Sequence, residues 1–493
     1  MNTTLNELTD TALAVAKERL QNLALDEALA AIQSSLRQRQ QDSGSDLSIY
    51  GNLLWCEVLL AKGRFLKDLT YAKMASRKLA EIQSLLPPVS TTAHFLSFHL
   101  SSAESHFQLD EYDKAKTVFN NLLTISKKER NEVGTIRALN GLAKAAFHQN
   151  KIIGSLEFAN QALELLIQQT DENQYPSLVE NYLLQSRILF QKEAFTQAKN
   201  YAERAIKISE ERSLLEQQME ANLLFGQACI ALKEYKTAMF PLMRTKTESL
   251  SVQHLVLKAE SLLAIGTIHT QVFNYTKALN YLNKVADEYA SILTQTTQIA
   301  LQNNLGRTHF RLSQNEKAEH YFFKAKELAQ QYRQQAPKAI SLAYLSVLFA
   351  RKGDYDKALR YASRVNKIRE QIGDVDGVQV NLISLGNIHY QLEKYNEGIK
   401  LASRGIAAAK RMNDGLSEIR GYQIMAEIFR KKKDYKSAVM YQMIYTKFYE
   451  DFYQRNDRQA VVELEHQFEI QRLRKEIDRL SGLSETRTIS SDL

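Results

Sequence analysis

The polarity pattern of the chain is one phrase repeated many times. An apolar run at three- and four-residue spacing marks an amphipathic helix. A short turn holding Gly, Asp or Glu and an aromatic follows, then Lys-Ala and a second apolar run. The phrase is plain in Asp110-Glu-Tyr112-Asp-Lys-Ala115, Glu234-Tyr235-Lys-Thr-Ala238, Asn274-Tyr275-Thr-Lys-Ala278, Asp354-Tyr355-Asp-Lys-Ala358, Lys394-Tyr395-Asn-Glu-Gly398 and Asp434-Tyr435-Lys-Ser-Ala438. Aligning the residue after the aromatic gives Ala28, Asp68, Ala115, Ser155, Ala198, Ala238, Ala278, Ala318, Ala358, Gly398 and Ala438, and from Ser155 the intervals are 43 and then 40 six times. All but Asp68 are Ala, Ser or Gly. The pattern predicts an all-α chain of stacked helix pairs, because a small residue at a fixed place lets two helix backbones approach closely.

This repeat resembles the tetratricopeptide repeat, a helix-turn-helix unit of about 34 residues. Numbering each repeat so that the aligned residue is position 20, Leu-Gly at positions 7 and 8 is Leu305-Gly306 and Leu385-Gly386, with Ile265-Gly266 and Phe225-Gly226 as variants. Position 17 is Phe65, Tyr112, Phe195, Tyr235, Tyr275, Tyr355, Tyr395 and Tyr435, and position 27 is Ala in Ala162, Ala205 and Ala325. The resemblance runs from about residue 5 to about 450 and implies a right-handed α-solenoid of about eleven units. The longer period is similar to that of the animal spindle-orientation scaffold of Leu-Gly-Asn repeats, as in Ser384-Leu-Gly-Asn387, and of bacterial peptide-sensing regulators.

Departures from the period suggest an organisation. The interval from Asp68 to Ala115 is 47, and the excess surrounds Leu85-Leu-Pro87-Pro88-Val-Ser90, a helix stop. Gln40-Gln-Asp-Ser-Gly-Ser-Asp46 reads as a polar loop. Residues 1–95 are expected to form a divergent N-terminal cap and 96–440 the regular solenoid. Pro176 and Pro337 fall where a helix start tolerates proline; Pro241 lies inside a second helix and predicts a kink or break.

Residues 441–480 contain no proline or glycine and predict one long C-terminal helix. Val461, Leu464 and Phe468 form one apolar seam and Ile470, Leu473, Ile477 and Leu480 another, surrounded by charges that include Glu463, Glu465 and Arg472. A capping helix folded onto the last repeat and a coiled coil joining a homodimer both fit. The segment Tyr445 to Ile477 resembles the connector helix between tetratricopeptide repeats and the output domain of bacterial sensory proteins, and residues 481–493 look disordered.

Composition narrows the functional classes. With 44% hydrophobic and 24% charged residues the chain is an ordinary folded one, while 5 prolines and 18 glycines are too few for an all-β protein or a Gly-rich nucleotide fold. The net charge of +8 is spread thinly and gives no sign of nucleic-acid binding, and no apolar run reaches membrane-spanning length. The N-terminus has no secretory signal pattern, and two cysteines, Cys56 and Cys229, support no disulfide framework, which fits a reducing cytoplasm. His106, His269, His309 and His389 share repeat position 11. Stacked helices stand roughly 8–10 Å apart, so these rings cannot converge on one metal ion, and buried, hydrogen-bonded packing histidines are expected. No phosphate-binding loop, zinc-protease or nucleophile-elbow motif occurs, so neither catalysis nor a cofactor is expected. The run Arg430-Lys-Lys-Lys433 reads as a solvated turn.

What the resemblance leaves is a binding groove lined by the first helix of each pair, at positions 2, 5, 9, 12 and 13. The candidates are Arg187, Gln227, Asn303, Arg307, Arg311, Arg351, Asn387 and Gln391, with acids such as Glu180, Glu220 and Glu260 in the middle repeats. Amides can hold a peptide backbone and arginines its carboxylates. The Lys/Asn clamp of chaperone-binding relatives is absent. The function this implies is a protein- or peptide-binding scaffold in bacterial signal transduction. A static assembly scaffold is the alternative, and a peptide-responsive transcription factor ranks third, since residues 1–40 show no basic recognition helix.

Overall fold

The computed structural model describes residues 13–37, 46–83, 93–168, 174–412, 414–454, 460–468, 470, 471 and 473. These are helices joined by tight turns, with no strand among them. Residues 13–21 form α1, followed by α2 (Leu25–Arg37), α3 (Asp46–Leu66), α4 (Leu69–Gln83), α5 (Ala93–Gln108), α6 (Tyr112–Lys128), α7 (Glu132–His148), α8 (Ile152–Gln168), α9 (Tyr175–Gln191), α10 (Phe195–Glu211), α11 (Leu215–Ala231) and α12 (Tyr235–Ser251). Then come α13 (Leu255–Gln271), α14 (Tyr275–Glu288), α15 (Gln295–Arg311), α16 (Asn315–Gln331), α17 (Gln335–Arg351), α18 (Tyr355–Ile372), α19 (Val375–Gln391), α20 (Tyr395–Arg411), α21 (Gly415–Lys431) and α22 (Tyr435–Gln454), with a last helix, α23, at 460–468. They fall into two compact units, one drawn from 1–264 and 467–493 and the other from 265–466.

Within each unit consecutive helices pack antiparallel as A and B partners, a solenoid-like helical-repeat arrangement. Helix B buries one stripe: Ala198, Ala202, Ala205 and Ser209 on α10, and Ala318, Phe322, Ala325 and Ala329 on α16. These are positions 20, 24, 27 and 31. Helix A is buried on several sides, as in α11, where ten residues are covered. The Gly at position 8 is required by the side chain at position 24. A Cβ on Gly306 would stand 2.7 Å from Phe322, and one on Gly226 would stand 2.5 Å from Leu242. Where position 8 is Ser, its hydroxyl donates to the position 20 carbonyl: Ser186 to Ala198 at 2.9 Å and Ser346 to Ala358 at 2.9 Å.

Two expectations need correction. Asp68 is not a crossing residue but lies just ahead of α4, where its carboxylate accepts from the Thr70 amide at 2.9 Å. The fourth residue of α4, Ala72, is fully buried and takes the crossing place. The intervals are then 44 and 43 rather than 40 and 47, and Phe65 is a buried residue of α3, not a turn aromatic. Pro241 does not break α12, which runs through it from Tyr235 to Ser251. The proline removes one backbone donor, but Ala238, Met239, Leu242 and Met243 beside it are fully buried and hold the turn. Pro176 and Pro337 lie in the first turns of α9 and α17, where no intrahelical donor is lost. The segments around Leu85–Ser90, most of 40–46 and all of 481–493 lie outside the described residues.

The turns explain the scarcity of glycine in another way. Fourteen non-glycine residues among the described ones have positive φ, among them Gln253, Ser313 and Lys433, against Gly353 and Gly373. Most of them close helix A or B by the same pair of hydrogen bonds. After α15, the Ser313 amide donates to Phe310 O at 3.1 Å and the Gln314 amide to His309 O at 2.9 Å. Side chains pay a left-handed penalty of roughly 1 kcal/mol there. Ser313→Gly should therefore raise the denaturation midpoint by an increment corresponding to roughly 0.5–1 kcal/mol, and Gly353→Ser should lower it similarly. Urea melts of both variants check this; equal effects of one sign would refute it.

Candidate ligand-binding face

A concavity in the second unit lies where three A helices, α17, α19 and α21, stand side by side. Its cavity, about 410 Å³, is lined by Ser346, Val347 and Ala350 of α17, by residues of α19 including Ile383, Asn387, Ile388 and Gln391, and by Arg420, Gln423, Ile424 and Glu427 of α21. On α19 and α21 these are mostly positions 2, 5, 6, 9 and 13 of their repeats. Asn387 and Gln391, expected from sequence to face a ligand, are brought together here. The wall mixes aliphatic groups with amides, the composition that holds an extended segment by its side chains and its backbone.

Beside this cavity the A helices gather arginines. Arg351 of α17 stacks its guanidinium 3.6 Å from the ring centroid of Phe310 on α15 and donates to the Phe310 carbonyl at 3.0 Å. Arg307 of α15 donates to Asn304 at 3.2 Å, and Gln271, with its amide oxygen turned toward Arg307, accepts at 2.9 and 3.2 Å. Burial would raise the phenol pKa of Tyr344, but the charge and hydrogen bond of Arg307, with the charges of Arg420 and Arg311, pull it below its ordinary value. Incomplete solvation, followed by the charge of Arg311, lowers the guanidinium pKa values of Arg351 and Arg420. Arg351 and Arg420 therefore both feel the charge of Arg311. Tyr344 and Arg420 were not among the sequence candidates. A signal for Arg420 existed: position 2 reads Glu180, Glu220, Glu260, then Ala300, Ile340, Val380 and Arg420, a change from acid to apolar to base.

Asn303 sits deeper than expected. It is buried, and its carbonyl oxygen accepts from Ser341 Oγ at 3.0 Å, so it joins α15 to α17.

In the first unit the corresponding face is internally neutralised. Arg187 pairs with Glu220 at 2.8 Å. Arg64 of α3 reaches Glu104 at 3.4 Å and Glu216 at 3.2 Å, and Lys144 adds a contact to Glu104 at 2.9 Å. Gln227 is half-buried on α11.

The position 11 histidines are packing groups. His269 and His309 stack on Tyr281 and Tyr321 with centroids 5.6 and 5.3 Å apart, as Phe349 does on Tyr361 at 5.5 Å. His106 and His309 bond Glu111 and Gln314 at 2.7 and 2.6 Å. Both ring nitrogens of His269 and Nδ1 of His389 are buried with no hydrogen-bond partner among the described residues, so the expectation that all four are hydrogen-bonded needs correction at these two. Burial pushes the thiols of Cys56 and Cys229 up to about 12, which leaves them protonated and unreactive. Among the described residues no group of three or more His, Cys, Asp or Glu could hold a metal ion, and no helix is long and apolar enough to cross a membrane.

The C-terminal segment supplies the second unit with a buried carboxylate. Glu465 of α23, expected on a charged surface, accepts from Lys277 Nζ at 2.5 Å and Tyr281 Oη at 2.6 Å, with His269 Nε2 at 3.5 Å. Val461, one turn earlier, is fully buried and Leu464 half-buried. In the first unit Phe468 meets Phe240 edge-on at 5.7 Å. Ile470 and Leu473 are half exposed, and Ile477 and Leu480 lie outside the described residues.

Sequence models of the tetratricopeptide repeat match residues 179–212 and 297–371. The chain is a tetratricopeptide repeat protein. The first match spans α9 and α10 and the second α15 to α18, so Arg307, Arg311 and Arg351 of the repeat protein lie within a recognised repeat block. No curated protein matches the chain. Among solved structures, the apo form of RapI superposes with a TM-score of 0.48 at 15% identity, over 75% of this chain and 99% of that one. NprR in complex with its cognate peptide NprX gives 0.47 at 16%, over 67% and 99%. Aspartyl phosphate phosphatase F from Bacillus subtilis gives 0.43 at 14%, over 73% and 94%.

Proposed function

We propose that this tetratricopeptide repeat protein is a non-enzymatic scaffold that binds a peptide or protein segment on the A-helix face of its second unit and acts as a regulatory module in signal transduction. The observation that carries it is the cavity of about 410 Å³ in which Asn387, Gln391 and Gln423 stand among Val347, Ile383, Ile388 and Ile424. Amides at that spacing offer donors and acceptors to a peptide backbone, and the aliphatic wall takes a side chain. The regulatory role is supported by the similarity of residues 445–477 to sensory connector helices.

Peptides selected on the full chain from a random display library test the proposal. Selected peptides should raise the melting temperature in proportion to the logarithm of their concentration, as mass action requires. The double substitution Asn387→Ala with Gln391→Ala should weaken them by about tenfold, about 1.4 kcal/mol. Selected peptides that bind the double variant as well as the parent would sink the proposal.

A further inference from the structure

We propose that Arg307, Arg311, Arg351 and Arg420 form a carboxylate-receiving site, and that the segment bound on this face is an acidic peptide whose aliphatic residue fills the adjacent cavity. This assignment deepens the peptide-binding function proposed above and rests on it.

The first ground is charge balance. Among the described residues none of the four arginines forms an ion pair with a carboxylate. In the first unit the groove arginines are paired, Arg187 with Glu220 and Arg64 with Glu104 and Glu216. The cause is visible at position 2 of the repeats. Glu220 stands there opposite Arg187 of the preceding repeat, whereas the position facing Arg307 is Ile340 and the one facing Asn387 is Arg420 itself. Like charges gathered with no carboxylate in contact, Asp414 acting on Arg420 only from a distance, destabilise the free protein, and that repulsion is relieved by an anionic ligand.

The second ground is how the guanidinium groups are held. The contacts of Arg307 and Arg351 are to neutral partners: an aromatic face, the Phe310 carbonyl, and the side-chain oxygens of Asn304 and Gln271. Such partners fix the planes of the forks without cancelling their charge. Arg351 and Arg420 are exposed, and Arg307 and Arg311 are partly so. A fixed, solvent-reachable fork is the geometry that takes a carboxylate bidentately.

The third ground is the neighbour. Arg420 lines both the arginine cluster and the aliphatic cavity, so an anionic group and an apolar side chain are received side by side. Two turns further along the same helix, Glu427 is occupied by Arg430, whose Nε donates to it at 3.1 Å. An acidic ligand is thereby directed toward the arginine end. Nucleic acid would be read by stacking on exposed aromatics; the tyrosines here, Tyr344 and Tyr390, are half-buried and the rest of the wall is largely aliphatic, which favours a peptide.

The test uses the full chain and two fluorescein-labelled peptides of equal length, one alternating Glu and Asp around a central Ile, the other with Gln and Asn in their place. Fluorescence anisotropy at about 50 mM salt, where screening is weak, should show the acidic peptide binding about tenfold or more tightly. The advantage should shrink as salt rises. Arg351→Gln with Arg420→Gln should abolish the preference for the acidic over the neutral peptide, with circular dichroism checking that the variant is folded, and Arg404→Gln, an exposed control on α20, should preserve it. Equal binding of the two peptides, or an acidic advantage that survives the double variant, overturns the assignment. So does tighter binding of a single-stranded oligonucleotide than of the acidic peptide. If library-selected peptides depend on Asn387 and Gln391 while the acidic probe shows no preference, the peptide-binding function stands and only the carboxylate assignment falls.

Discussion

Replacing Glu465 by alanine should free residues 460–466 from α14 and raise amide exchange in that segment by about two orders of magnitude, while the main unfolding transition hardly moves. The carboxylate is almost wholly buried and receives Lys277 and Tyr281 at 2.5 and 2.6 Å. Burial alone would raise its pKa, but nearby His269 and the hydrogen bonds from Lys277 and Tyr281 hold it well below the usual carboxylate range. Removing one member of such a buried set costs roughly 3–5 kcal/mol. A segment of two helical turns has little else to offset that loss, because Val461 is its one fully buried apolar anchor. It therefore opens locally, and Lys277 and Tyr281 regain water, which confines the damage. Glu465→Gln, which keeps an acceptor for Tyr281 but not the charge facing Lys277, should fall between. The pH dependence follows the depressed pKa: the contribution is complete above about pH 4.3, the unfolded value, and is lost as pH falls below it. Hydrogen exchange followed by mass spectrometry decides the matter, and unchanged protection of 460–466 in Glu465→Ala would falsify it.

Glu465 also shows where sequence periodicity stops being informative. A glutamate among Arg and Glu residues beside an apolar seam reads as a solvated flank, since charged residues are rarely buried unless paired. Its partners lie 184 and 188 residues away, so no local pattern announces them. The repeat itself was legible because its defining contact is short-range: position 8 meets position 24, sixteen residues on, within one helix pair. Gly306 against Phe322 and Gly226 against Leu242 follow directly. Where the phrase is degenerate the register slipped by four, as at Asp68, because the sequence offers Ala72 and Ala75 as well and only packing chooses among them. Pro241 reads as a break on local propensity alone, and the four buried side chains beside it outweigh the lost bond.

The candidate site was legible by position and not by electrostatics. Counting along helix A placed Arg307, Arg311, Arg351, Asn387 and Gln391 on one face. The same count places Arg187 there too, and only the structure separates the arginine that Glu220 occupies from those that no described carboxylate does. Tyr344 escaped because position 6 is not among the expected facing positions, although Ser384 and Ile424, which share it, also reach the cavity.

The tie that should matter most to the first unit joins residues 152 positions apart. Arg64, in the last turn of α3, forks onto Glu216 of α11, with Nε and Nη2 each donating at 3.2 Å to separate oxygens, and turns Nη1 to Glu104 at 3.4 Å. Next to it Phe65, buried, stacks on His254 with centroids 4.0 Å apart. In a repeat array nearly all stabilisation is between neighbours, so a link across several repeats adds cooperativity that neighbour contacts cannot. Arg64→Ala should destabilise the first unit by about 2–3 kcal/mol, between the ranges for an exposed and a buried ion pair, because the side chain keeps about a third of its surface in water. Arg64→Lys should recover less than half, since an ammonium cannot fork to two carboxylates at once. Acid titration separates the charge from the packing. Burial would raise the pKa of Glu104, but Lys144 and Arg64 bring it down to about 2, so its contribution is complete above the unfolded value of about 4.3 and disappears as pH falls toward 2. Without Arg64 the folded pKa of Glu104 moves upward, and the loss of stability between pH 4.3 and 2 should become shallower. Urea midpoints of the first-unit transition across that pH range give the answer. An Arg64→Ala midpoint equal to that of the parent at pH 7, or parallel acid limbs for the two proteins, would show that the fork contributes nothing to the fold.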